Sequence, residues 1–213
     1  HNHFKTTVVG GESAEFSKVF HFFEKNNNDF FNATQKYLST YAQTVNMNEL
    51  MTKDEKTFLK GIDKVQADVS KNIEENVKKF SPDNGLVEWK KNDLASTLLT
   101  ILNQYEMSHK QMGNPSFKVT KAFTDYENKL QENKEVMVKE NPFYRQYLLT
   151  KMSPDFQTFA QAKAQGKTDV TTSELFNEFL KGKKEVSQTE KDYLLAFVMA
   201  QSDVHPQTPA ATT

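Results

Sequence analysis

The chain has no cysteine. That excludes a disulfide framework, thiol nucleophiles and thiolate-held zinc or iron–sulfur centres in one step. Arginine is nearly absent as well: Arg145 is the only one, and every other strongly basic side chain is lysine. A lysine ammonium is a point charge without the planar fork that grips phosphate or carboxylate at two points, so arginine-dependent phosphoryl transfer is disfavoured. An excess of either charge is lacking too. With 27 basic and 28 acidic residues the formal net charge is −1, and the two signs are interspersed rather than held in blocks. A nucleic acid partner requires a basic face that displaces counterions from phosphates, so none is expected.

No apolar run reaches the roughly 18 residues that a bilayer-spanning helix requires. The apolar share is 37%, and with only 7 glycines to add it falls short of the roughly 45–50% usual for globular domains. A chain of 213 residues still buries roughly 70% of its unfolded surface, so it needs no covalent staple. The expectation is an elongated helical array with much solvated surface. The chain opens His1-Asn2-His3 without an initiator Met. That opening suggests a processed or trimmed chain, and the low-Arg, Lys- and Asn-rich composition suggests a secreted or periplasmic bacterial protein.

What is present is a helical rhythm. Phe58, Ile62, Val65, Val69, Ile73, Val77 and Phe80 recur in steps of three and four, predicting a helix over about 52–80, on the order of 40 Å long, with Thr52 and Glu55 at capping-box spacing. After Ser81-Pro82-Asp83-Asn84-Gly85 a second stripe, Leu94, Leu98, Ile101, Leu102, Tyr105 and Met112, predicts a helix over about 86–112, stopped by Gly113-Asn114-Pro115. Val119, Phe123, Tyr126, Leu130 and Met137 predict a third over about 116–140. Short turns between long helices favour antiparallel neighbours, so the expected fold is an all-α, elongated antiparallel helical bundle with shorter flanking helices. Ile62, Val69, Leu98 and Phe123 are expected in its core.

Around that centre, residues 1–12 read as a flexible arm with Gly10-Gly11 before a Ser13 cap, and Phe16, Val19, Phe20 and Phe23 as one face of a short helix. Asn26-Asn27-Asn28 reads as an interruption, with Asp29 capping the next helix. The main bundle is placed at 13–141. Shorter helices, about 142–152, 154–165, 173–181 and 188–202, are placed over 142–204, as a cap on the bundle or a small subdomain. Ser187 and Glu190 form a second capping box there, and 205–213, rich in Pro and Thr, reads as a disordered tail.

Few residues carry a chemical signature. Glu106 and His109 have the Glu-x-x-His spacing of carboxylate-bridged metal bundles, but no second copy exists, and His21 with Glu24 stands in reversed order. The ordinary reading of His109 is a polar or half-buried helix residue. If His1 is a true terminus, its amino group, two backbone amides and His3 supply a square-planar nitrogen set suited to Cu(II) or Ni(II); the simpler reading is a tag remnant. Gly10-Gly11-Glu12-Ser13 lacks the spacing of a phosphate loop or a nucleophile turn. Asp83-Asn84-Gly85 with Glu88 lacks the ligand order of a calcium loop.

The most biased stretch is 143–167, where Arg145, Lys151, Lys163 and Lys167 stand against Asp155 alone among Phe143, Tyr144, Tyr147, Phe156 and Phe159, followed by Lys181, Lys183 and Lys184. These seven cations are the candidate anion- or membrane-binding residues. The expected function is a non-enzymatic interaction protein, exported from a bacterium, that presents helical surfaces to a protein partner. An anionic-membrane binder and an enzyme with a site assembled from distant residues are the alternatives. No cofactor is expected.

Overall fold

The computed structural model describes residues 24–166 and 169–204. Every regular element among them is α-helical: α1 Lys25–Thr44, α2 Met47–Met51, α3 Glu55–Phe80, α4 Asn84–Gln111, α5 Lys121–Leu130, α6 Lys134–Glu140, α7 Pro142–Ala164, α8 Thr172–Lys181 and α9 Gln188–Val204. The protein is therefore an all-α bundle with several long helices packed together. The chain divides into two compact units, up to Lys91 and from Asn92, with the divide inside α4.

In the first unit α1 packs along α3, and α2 sits against α3. Phe30, Phe58, Ile62, Val69 and Ile73 are buried, as the stripe in α3 requires. Gly61 allows α2 to approach closely: a methyl there would stand 2.5 Å from Leu50 Cδ1. The N-cap of α3 is Asp54, whose carboxylate accepts from Thr57 N at 3.0 Å, and Thr52 instead closes α2, so the Thr52–Glu55 box is not used. The hydrogen bond from Thr57 also holds the Asp54 carboxyl below its ordinary range.

Asn26-Asn27-Asn28 lies inside α1 rather than before it. The asparagines are tertiary ligands of the turn between the two long helices. Asn27 is buried and exchanges two bonds with Asp83: its Nδ2 donates to Asp83 Oδ2 at 2.8 Å and the Asp83 backbone N–H donates to its Oδ1 at 2.8 Å, while Asn26 Nδ2 donates to Ser81 O at 3.0 Å. These bonds offset the poor helix propensity of Asn. Ser81, the C-cap of α3, has φ 47°, a left-handed conformation that a side chain adopts at some cost.

In the second unit the expected helix over 116–140 divides. α5 starts only at Lys121, and residues 131–133 turn before α6. A straight helix would turn one stripe inward. Met137 and Val138 of α6 are both buried, and in the turn before it Gln131 Oε1 accepts from Tyr144 OH at 3.1 Å. The two expected pieces 142–152 and 154–165 run on as the single helix α7, with Pro142 at its first turn and Pro154 inside. Proline removes one helical donor, but packing holds α7 on both sides of it: Tyr144, Tyr147 and Leu148 are buried before Pro154, and Phe156 and Phe159 meet Phe176 and Phe179 after it. The Ser187–Glu190 box is formed, with Glu190 N to Ser187 Oγ at 3.1 Å and Ser187 N to Glu190 Oε1 at 3.5 Å. Thr171 and Glu174 make a further box at the start of α8. Leu98 and Phe123 are buried, as expected.

Candidate functional site

The seven candidate cations do not act as one open patch. Arg145 Nη1 donates to Val138 O at 2.7 Å and Lys139 O at 3.1 Å, and so caps the end of α6. Lys151 binds the Glu127 carboxylate, Lys163 meets Glu178 at 3.0 Å, and Lys183 lies 3.2 Å from Asp155 and 3.9 Å from Glu185. Lys181 and Lys184 are exposed, and Lys167 lies outside the described residues. Asp155 looked alone in the sequence because Glu127, Glu178 and Glu185 belong to other segments that folding brings in. The structure gathers Lys151 and Lys183 at one cleft and gives Lys163 to α8.

His1 and His3 fall outside the described residues, as do His21 and the Gly10-Gly11 segment. His109 is half-buried, its Nδ1 2.9 Å from Tyr105 O and its ring 4.0 Å from Tyr105 and 5.1 Å from Phe117. A carbonyl only accepts, so Nδ1 carries the proton. Glu106 pairs with Lys110 at 2.6 Å rather than with His109. Among the described residues no group of three His, Asp or Glu side chains could hold a metal ion, and no helix is long and apolar enough to cross a membrane.

Among the concave surfaces along α7, two differ sharply in chemistry. The first is a cleft of about 380 Å³ bordered by α5, the start of α6, the middle of α7 and the 183–190 segment. Its floor holds two carboxylates nearly closed to solvent, Glu127 and Glu190, 4% and 3% exposed. Glu127 accepts from Lys151 Nζ and from Tyr147 OH at 3.3 Å. Glu190 receives Tyr144 OH at 3.4 Å and has Lys134 Nζ at 3.6 Å. Burying a carboxylate is costly unless it is paired and hydrogen-bonded, and both are. Burial pushes the Tyr144 and Tyr147 phenols far above their ordinary range, and Glu190 and Glu127 respectively reinforce the shift, so both tyrosines serve as donors. Sequence reading missed this network. Glu127 stands on the Phe123–Leu130 stripe of an amphipathic helix, and only that apolar register could have drawn attention to it.

The second surface is a groove of about 630 Å³ formed by α7, the Val170–Ser173 segment, Phe176 of α8 and the last turns of α9. Leu149, Met152, Phe156, Val170, Phe176 and Val198 make its apolar wall. Ser153, Thr171, Thr172, Ser173, Gln201 and Ser202 supply hydroxyl and amide groups. None of these residues is charged, in a chain that is 26% charged. No protein-family model, curated protein or solved structure shows significant similarity to the chain.

Proposed function

We propose that the chain is a non-enzymatic helical interaction protein that takes an apolar, uncharged segment of a protein partner into the groove between α7, α8 and α9. The observation that carries this reading is the uncharged lining. A charged segment seated there would lose hydration without gaining a counter-charge, whereas apolar side chains gain by burial against Phe156, Phe176 and Val198. Met152 adds an adaptable wall. The Ser and Thr groups favour a peptide over an acyl chain, because peptide backbone offers donors and acceptors to them and a hydrocarbon does not. The carboxylates beside Lys151, Lys163 and Lys183 cancel most of their long-range field, which weighs against attraction to an anionic membrane surface.

The test is panning of a random 16-residue peptide library on the intact protein. The reading expects enrichment of peptides with uncharged apolar residues at helical or alternating spacing, whose binding is lost in Val198→Asp and in Ser202→Glu. Ser202 is exposed, so its variant keeps the fold even if Val198→Asp does not. Failure to enrich any peptide, or enriched peptides that bind Ser202→Glu as well as wild type, overturns it. Salt-sensitive sedimentation with acidic liposomes would favour the membrane reading instead.

A further inference from the structure

We infer that the cleft over Glu127 and Glu190 is a binding site for a small zwitterion, an α-amino acid with an apolar side chain. The inference goes beyond the peptide groove and stands without it. The volume, about 380 Å³, lies in the roughly 300–1,000 Å³ range of small-molecule pockets. Three lysines, Lys134, Lys151 and Lys183, line it together with four carboxylates, those of Glu127, Asp155, Glu185 and Glu190.

The buried carboxylates anchor Lys151 and Lys134 from beneath. An ammonium has three N–H groups, and one carboxylate contact leaves donors for a ligand. Fixing a lysine before the ligand arrives reduces the entropy lost on binding. Asp155 and Glu185 differ in kind from the two floor acids: their side chains are 72% and 70% exposed, at the mouth, where they share Lys183 at 3.2 and 3.9 Å and each keeps lone pairs on its carboxylate that a ligand ammonium can reach. Leu148, Met152 and Val186 give the same cleft an apolar wall.

The balance of charge selects the ligand class. With one more carboxylate than lysine, a purely anionic ligand meets net repulsion. A purely cationic one competes with the resident lysines for the same oxygens. A molecule carrying both signs satisfies the lysine donors and the mouth acids at once, and its side chain covers the apolar wall.

The experiment is a titration of the ¹⁵N-labelled full chain with L-leucine, L-methionine and L-phenylalanine. Isovalerate and isoamylamine, each keeping one of leucine's charged groups, serve as comparators. At least one amino acid is expected to give saturable shifts at the backbone amides of Thr124, Tyr147 and Val186. Each comparator should bind about tenfold more weakly or worse, because it leaves one set of charged groups unmatched. Asp155→Asn, which removes an exposed acceptor for the ligand ammonium and leaves both floor carboxylates paired, should weaken binding about tenfold with an unchanged melting temperature. Absence of saturable shifts with all three amino acids overturns the inference. So does a comparator that binds equally well, or an Asp155→Asn variant that binds like wild type.

Discussion

The two units spend their charges differently. In the first, the ion pairs Lys25–Asp29, Lys53–Glu49, Lys64–Asp68 and Lys91–Glu88 join residues three or four apart. The second has such local pairs too, Lys110–Glu106 and Lys121–Asp125, and adds Lys134–Glu190, Lys151–Glu127, Lys163–Glu178 and Lys183–Asp155, which tie separate segments together. A local pair on an exposed face contributes a few tenths of a kcal/mol and constrains little beyond its own turn. A pair that reaches a carboxylate as buried as Glu127 fixes how two helices meet, because the acid cannot be left alone. Lysine also ties segments in the first unit, where buried Lys90 donates to Gln35 Oε1 at 2.8 Å, but this partner is a neutral amide, whereas in the second unit lysines reach carboxylates of other segments.

The comparison breaks first if the units differ in packing rather than in charge. Phe58 in the first and Phe123 in the second are both fully buried, so truncation to Ala should cost about 3–5 kcal/mol in each, read by chemical denaturation. A cost below about 1 kcal/mol in either would show that unit to be loosely packed. The sharper contrast is Lys151→Met against Lys64→Met. The first strands a buried carboxylate and should cost about 2 kcal/mol, less than a fully enclosed pair because Lys151 is partly exposed; the second should cost less than about 0.5 kcal/mol. Equal costs would erase the distinction.

Alkaline titration separates the units by their tyrosines. In the first, burial and then the 2.7 Å bond to Asp68 raise Tyr41 from 10.0 to about 12. A raised folded value means that the bond stabilises fully below pH 10.0 and is lost as pH climbs toward about 12. Tyr144 and Tyr147 are shifted further, so phenolate absorbance of the folded protein should be unchanged by Tyr144→Phe or Tyr147→Phe where Tyr41→Phe removes a step. The smallest effect belongs to the left-handed Ser81: Ser81→Gly keeps the backbone carbonyl that Asn26 uses and should raise stability by about 0.5 kcal/mol, seen as a slightly higher melting temperature.

These contrasts also mark what the sequence made legible. The stripes of α3 and α4 are long, periodic and bounded by a turn, and the helices follow them closely, except that Met112 falls past the end of α4 and is exposed. Helix boundaries fixed by tertiary bonds were hidden: Asn27 reads as a breaker until Asp83 is beside it, and the turn at 131–133 depends on side chains such as Gln131 that find partners a helix away. The basic stretch misled for the same reason. Counter-charges three or four residues off can be read directly, whereas Glu127 lies 24 residues from Lys151 and declares itself only in three dimensions. Neither the groove nor the cleft has a motif, because each is assembled from several helices that share no spacing.

The groove of the second unit is the proposed seat of the partner segment. Hydrogen exchange of the intact protein, with and without a peptide selected by panning, tests that placement. Slowed exchange is expected in 149–156, 170–176 and 198–202, with unchanged exchange in 25–91. Protection centred in 25–91, or on Lys181 and Lys184, would contradict it.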